Sequence, residues 1–184
     1  MPLDPVDLTL SLMRIDSTSG RESEVMQLAQ TTLESRGWAV QRIPVSEGRD
    51  NIFASAVDAP LVTLSTHLDT VPPYIAPRVD GGRVWGRGAC DAKGIAAAML
   101  AAADRLASEG EERTDLLFVV GEEKGSDGAR AANGLRATSR WLINGEPTES
   151  RLATGAKGSL RVTVRTRGRA AHSAYPHLGV SAIE

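Results

Sequence analysis

The order of apolar patterns along this 184-residue chain predicts an α/β fold, in which helices alternate with the strands of an open sheet. Two observations carry that prediction. Segments of helical period at 22–36 and 94–108 are interleaved with short apolar runs at 61–66, 115–120 and 141–144. Those three runs each end on residues able to bind a cation or move a proton: His67-Leu-Asp69, Glu122-Glu123 and Glu146. Ligands of open α/β sheets gather at the carboxyl ends of strands, so the recurrence ties the fold class to a site.

The elements follow in order. Asp4 and Pro5 open an amphipathic helix that ends near Met13, before the turn-forming Asp16-Ser-Thr-Ser-Gly20. In the 22–36 helix Val25, Leu28, Ala29 and Leu33 share one face, and Gly37 stands where a C-terminal glycine cap belongs. Strands are expected at 39–45, 51–56, 61–66 and 82–85. The alanine-rich 94–108 segment is a strong helix former flanked by glycines. A buried strand at 115–120, a short helix at 126–132 and a strand at 141–144 complete this part. From Arg151 the texture changes: Leu160, Val162, Val164 and Thr166 alternate as in a half-buried strand, and a domain boundary is expected near 155–158. The two parts are then 1–155 and 156–184. The arginines between Arg161 and Arg169 read as the solvated face of that strand.

Composition narrows the function. Hydrophobic residues make up 41% and charged residues 24%, as in globular proteins rather than disordered chains. A net charge of −2 gives no reason to expect nucleic acid or a membrane surface as partner. The apolar run at 95–103 is far below the roughly 20 residues that span a bilayer. Asp4 and Asp7 occupy the region where a secretory leader would be basic, so the cytoplasm is the expected location. A single cysteine, Cys90, excludes an intrachain disulfide and multi-cysteine zinc sites.

The chemistry-bearing residues each have a bland alternative. His67 and Asp69, two apart at a strand end, can point the same way, and Asp69 could orient the imidazole; a turn or surface pair is the competing reading. Asp91, in Gly86-Arg-Gly88-Ala-Cys-Asp91-Ala-Lys-Gly94, either meets a ligand beside flexible backbone or caps the following helix. Glu122 and Glu123 repel one another, which a cation relieves, or they form an exposed pair. Together one imidazole and several carboxylates suit zinc or a similar first-row metal, with one carboxylate left over to deprotonate water.

Four motifs in order carry a resemblance: Ser65-Thr-His67-Leu-Asp69-Thr-Val-Pro72, Gly86-Arg-Gly-Ala-Cys-Asp91-Ala-Lys-Gly94, Gly121-Glu-Glu-Lys-Gly-Ser126 and Asn144-Gly-Glu-Pro-Thr148. From about Asp7 onward the chain resembles the co-catalytic zinc hydrolases that include acetylornithine deacetylase, succinyl-diaminopimelate desuccinylase, aminoacylase and carboxypeptidase G. The resemblance implies a mixed sheet flanked by helices, followed by the start of a small α+β lid and dimerisation domain. It implies two zinc ions, with cobalt or manganese as possible substitutes. His67 and Glu146 would bind the first, Asp91 would bridge, and Glu123 would bind the second. Glu122 would be the general base, Asp69 would orient His67, and the peptide bond after Asp91 would be cis. Gly168-Arg-Ala-Ala-His172-Ser-Ala-Tyr-Pro176 resembles the start of the lid, where His172 would reach the partner subunit's site in a homodimer and stabilise the oxyanion.

The resembling enzymes are about twice this long and draw a further histidine for the second metal from their later part. Neither His172 nor His177 matches it, so this sequence offers the second metal only Asp91 and Glu123. Two readings follow: part of an active amidohydrolase, or a truncated, non-catalytic fragment that binds a single metal. A glutamate at position 146 accompanies N-acyl amino acid hydrolases and carboxypeptidases in the resembling enzymes. Deacylation of an N-acylated amino acid is therefore the expected reaction, with a small peptide as the alternative substrate.

Overall fold

The computed structural model describes residues 2–135, 139–158, 160 and 162–183. The chain divides into two units, Met1–Ser150 and Arg151–Glu184.

The first unit opens with α1 (Pro5–Met13), whose start is fixed by Asp4: its Oδ1 accepts from the amides of Val6 and Asp7 at 2.7 and 3.1 Å. Asp16 then accepts from both the amide and hydroxyl of Thr18, which shapes the turn the sequence announces. Helix α2 (Ser23–Glu34) ends where Gly37 takes a positive φ of 85° and donates to the Glu34 carbonyl. The strands are β1 (Ala39–Ser46), β2 (Arg49–Ser55), β3 (Val62–His67), β4 (Arg78–Asp80), β5 (Arg83–Trp85), β6 (Thr114–Val119) and β7 (Trp141–Asn144). Helices α3 (Lys93–Ser108) and α4 (Asp127–Ala132) complete the unit.

Five strands form one mixed sheet in the order β1-β2-β6-β3-β7. The pairs β1–β2 and β2–β6 are antiparallel, whereas β6–β3 and β3–β7 are parallel. Strands β4 and β5 form a separate hairpin; β4 is an element the sequence reading missed. Because side chains alternate along a strand, Ile52, Ala54, Leu116 and Phe118 all face the same way. They build the core with Leu12 of α1, Val25 and Leu33 of α2, and Leu100 of α3. Phe53, Leu117 and Val119 face the opposite side, where with Ala129 and Ala132 they line a cavity of about 450 Å³.

The parallel pairing places the carboxyl ends of β3, β6 and β7 at one edge of the sheet. No helix among the described residues is long and apolar enough to cross a membrane.

The second unit departs from expectation. Leu160, Val162, Val164 and Thr166 lie outside any strand and are exposed, and Arg161 lies outside the described residues. A strand needs a neighbour to take its amides and carbonyls. In this stretch the pairing among described residues is one isolated antiparallel bridge, Arg169 with Val180. Alternation by itself did not produce the strand. The unit also carries a 3-10 turn at Pro176–Leu178.

Candidate metal centre

His67 ends the buried strand β3, and its side chain is 1% exposed. Its Nδ1 lies 2.9 Å from the backbone carbonyl of Asp69 and 3.3 Å from Asp69 Oδ1. A carbonyl only accepts, so Nδ1 carries a proton and donates. That leaves Nε2 as the outward atom, 2.9 Å from Asp91 Oδ1 and 3.9 Å from one carboxylate oxygen each of Glu122 and Glu146. His67, Asp91 and Glu123 form a group whose candidate donor atoms all lie within 4.8 Å of one another.

Each donor arrives from a different element. Asp91 comes from the glycine-rich loop before α3, and the Asp91–Ala92 peptide is cis. Asp91 does not cap α3: the capping residue is Ala92, with no side-chain cap bond, while the Asp91 carboxylate turns to His67. Glycine is required twice in this loop. Gly86 has φ 134° and Gly88 φ 87°, and a Cβ on Gly88 would collide with the Lys93 side chain. Lys93, buried, donates from Nζ to the carbonyls of Leu12 and Ile15, so it ties the loop's end to the end of α1.

Glu122 and Glu123 follow β6. Their amides donate to the Asp69 carboxylate at 3.0 and 3.2 Å, and Ser19 Oγ donates to the same carboxylate at 2.6 Å. Asp69 therefore serves both strand ends: its carbonyl fixes the His67 ring and its carboxylate fixes the Glu122-Glu123 turn. Glu146 follows β7, where the Gly145 amide donates to the Ser65 carbonyl and Thr66 Oγ1 to the Gly145 carbonyl. Ser19 was missed by the sequence reading, since nothing in a turn-forming serine reveals a partner fifty residues away.

The electrostatics match a cation site. Burial pulls the His67 imidazole down, but the carboxylates of Asp69, Glu146 and Asp91 outweigh it and raise its pKa to about 9. Burial raises Glu123, and the Asp91 carboxylate raises it further. Glu146 is raised by burial and then by Glu122 and Asp91. Burial also works against Asp69, yet hydrogen bonds from His67 and Ser19 keep it below the ordinary carboxylate range. Negative charge thus converges on His67 Nε2, which holds a proton in the metal-free fold and would exchange it for a cation; nitrogen plus carboxylate oxygen is the donor set of zinc and its neighbours. The residues present fit such an ion.

His172 belongs to the second unit. There its Nδ1 accepts from the Ala174 amide at 3.1 Å, and its ring lies 6.1 Å from that of Tyr175. Cys90 is exposed and free.

The chain is 42% identical, over 97% of its length, to a peptidase M20 domain-containing protein of Schizosaccharomyces pombe, of which the match covers 47%. It is 40% identical over 94% of its length to a probable carboxypeptidase of Aspergillus clavatus, of which the match covers 43%. The chain thus spans about half the length of the curated relatives it matches. Among solved structures, a tripeptidase of Staphylococcus aureus superposes with a TM-score of 0.67 at 22% identity, over 97% of this chain and 53% of that one; the likeness is one of fold. The model of peptidase family M20/M25/M40 matches residues 63–182, the stretch that contains His67, Asp91, Glu122, Glu123 and Glu146. The chain belongs to peptidase family M20/M25/M40.

Proposed function

We propose that the protein containing this chain is a metal-dependent amidohydrolase that releases an amino acid bearing a free carboxylate from a small peptide or an N-acyl amino acid. The observation that carries the proposal is the convergence of Asp91, Glu122 and Glu146 on His67 Nε2, with Nδ1 committed to a carbonyl. His67 and Glu146 would hold a first zinc, Asp91 would bridge and Glu123 would hold a second; cobalt or manganese suits the same donors. A divalent cation in this place would polarise the scissile carbonyl and make the attacking water more acidic.

Glu122 takes the proton from that water and hands it to the departing amine. Its amide donates to Asp69, and its carboxylate reaches to 3.9 Å from His67 Nε2. His172, in a homodimer of the complete protein, would donate to the developing oxyanion. The relative named a probable carboxypeptidase supports an amine product with a free carboxylate, as does a glutamate at position 146. A C-terminal peptide bond and the bond in an N-acyl amino acid are alike on that side and differ on the acyl side. The enzyme would act in the cytoplasm, with neither nucleic acid nor membrane as partner.

The test uses the complete protein, stripped of metal, reloaded with zinc and counted. It is then assayed on dipeptides, N-acetyl and N-succinyl amino acids. Two zinc ions per chain with amino acid release are expected. One zinc ion and no hydrolysis would favour the single-metal, non-catalytic reading and defeat the proposal.

A further inference from the structure

The turn that carries Glu122 and Glu123 is gripped from a side that the donor set does not reveal. Strand β2 runs antiparallel to β6 with Ile52 opposite Phe118 and Phe53 opposite Leu117. Continuing that register brings Asn51 and Arg49, the first residues of β2, alongside the end of β6 and Gly121. Asn51 is fully buried, accepts from the Val120 amide at 3.0 Å and donates to the Gly128 carbonyl at 2.8 Å. It therefore clasps the residue before the turn to the residue after it.

Arg49 closes the same turn by charge. Its guanidinium donates to both oxygens of Glu22, at 2.9 and 2.8 Å, and to Asp127 Oδ2 at 2.6 Å. Glu22 is completely buried, whereas the side chain of Asp127 is 40% exposed. The turn fits tightly around this group. Gly121 has φ 66°, and a Cβ there would fall onto the Asp127 carboxylate and within 2.6 Å of Arg49 Nη2. A Cβ on Gly128 would collide with the Val120 backbone and the Asn51 amide oxygen. The turn also closes on itself, the Ser126 amide donating to the Gly121 carbonyl at 2.7 Å.

We propose that Asn51 and the Glu22–Arg49–Asp127 network are positioning residues that set where the Glu122 and Glu123 carboxylates stand. This rests on the metal-dependent reading of the site. None of the four residues lies in the donor group, so each acts through the backbone of the turn: Asn51 and Arg49 hold its base, and Asp69 holds its crown. The two grips are independent, because Asp69 comes from the β3 side of β6 and Asn51 from the β2 side.

The test compares the unsubstituted protein with the double variant Glu22→Gln/Arg49→Gln, which keeps polar groups in place and removes the buried charges together. Far-UV circular dichroism first establishes that the variant is folded. Amide hydrogen exchange is then read without metal, and cobalt uptake is read by its visible spectrum. Residues that orient metal ligands change affinity by about 10–100-fold when lost. The cobalt site that includes Glu123 should weaken by about that factor with an altered spectrum, while uptake involving His67 and Glu146 stays unchanged. Exchange of the Glu122 and Glu123 amides should accelerate, with that of β3 unchanged.

A folded variant whose exchange at Glu122 and Glu123 matches that of the unsubstituted protein overturns the proposal. If the unsubstituted protein takes up no cobalt, the metal reading fails, and the exchange comparison alone decides the clamp. Should the double variant not fold, Asp127→Asn serves instead, since it leaves the buried Arg49–Glu22 pair whole. It should loosen the same two amides, and unchanged exchange in it counts against the clamp.

Discussion

The turn after β6 and the stretch after β7 each deliver glutamate to the same nitrogen, yet they are built to different standards. Strand β6 lies between β2 and β3, and its turn is held by Asp69 from one side and by Asn51 and Arg49 from the other. Among the described residues strand β7 pairs with β3 alone, and Trp141, Leu142 and Ile143 are all more than half exposed. Glu146 is placed through Gly145, whose amide and carbonyl are bonded to Ser65 and Thr66 of β3. The difference teaches that, within this chain, the donors after β6 take their position from two neighbouring strands and the donor after β7 from one.

The sharpest way to break the comparison is at the glutamates themselves. In the complete protein Glu122→Ala should keep its metal count and lose about 10²–10⁴-fold in kcat, the worth of a positioned general base. Glu146→Ala should instead lose metal, and a dialysis competition with a chelator would show it. If Glu122→Ala keeps its rate, the base has been assigned to the wrong carboxylate.

Stability should follow the same divide. Phe118, buried on β6, should cost about 3–5 kcal/mol when cut to alanine, because it leaves a cavity in a packed core. Leu142 on β7 is 65% exposed, and Leu142→Ala in this chain should stay within about 0.5 kcal/mol. Urea unfolding of both variants measures this, and equal losses would mean that β7 is as well packed as β6.

A further effect concerns the proton on His67. Its pKa, raised from 6.5 to about 9, means that the metal-free fold holds a proton there more firmly than the unfolded chain does. The stabilisation is therefore complete below pH 6.5 and is lost as pH rises through about 9. Metal competes with that proton, so cobalt affinity should rise with pH across the same window and level off above it. Calorimetry in two buffers of different ionisation enthalpy would count the proton released. His67→Gln should flatten the stability profile between those pH values; a profile unchanged by the substitution would place the proton elsewhere.

Much of this was legible in the residues. The capped start of α1 at Asp4, the glycine end of α2 at Gly37 and the apolar run of β6 are local signals, and each formed near its expected bounds. The four motifs put His67, Asp91, Glu122, Glu123 and Glu146 on strand ends and one loop, and the parallel pairing brought them to one edge. Two things were not legible. Leu160, Val162 and Val164 alternate as well as any strand in the chain, and they formed none, because pairing requires a neighbour that alternation cannot specify. Arg49, Asn51, Glu22 and Ser19 look like ordinary surface polar residues until the sheet register sets them against the turn at Gly121.

The sequence by itself determined the chemistry: which donors exist, in what order, and that they follow strands. Local propensity, capping and spacing are properties of neighbouring residues, and a single chain states them outright. Only the tertiary structure decided how firmly each donor is held. That depends on which strands lie side by side and in which register, and contacts fifty or more residues apart in the chain exist only once the sheet has closed around them.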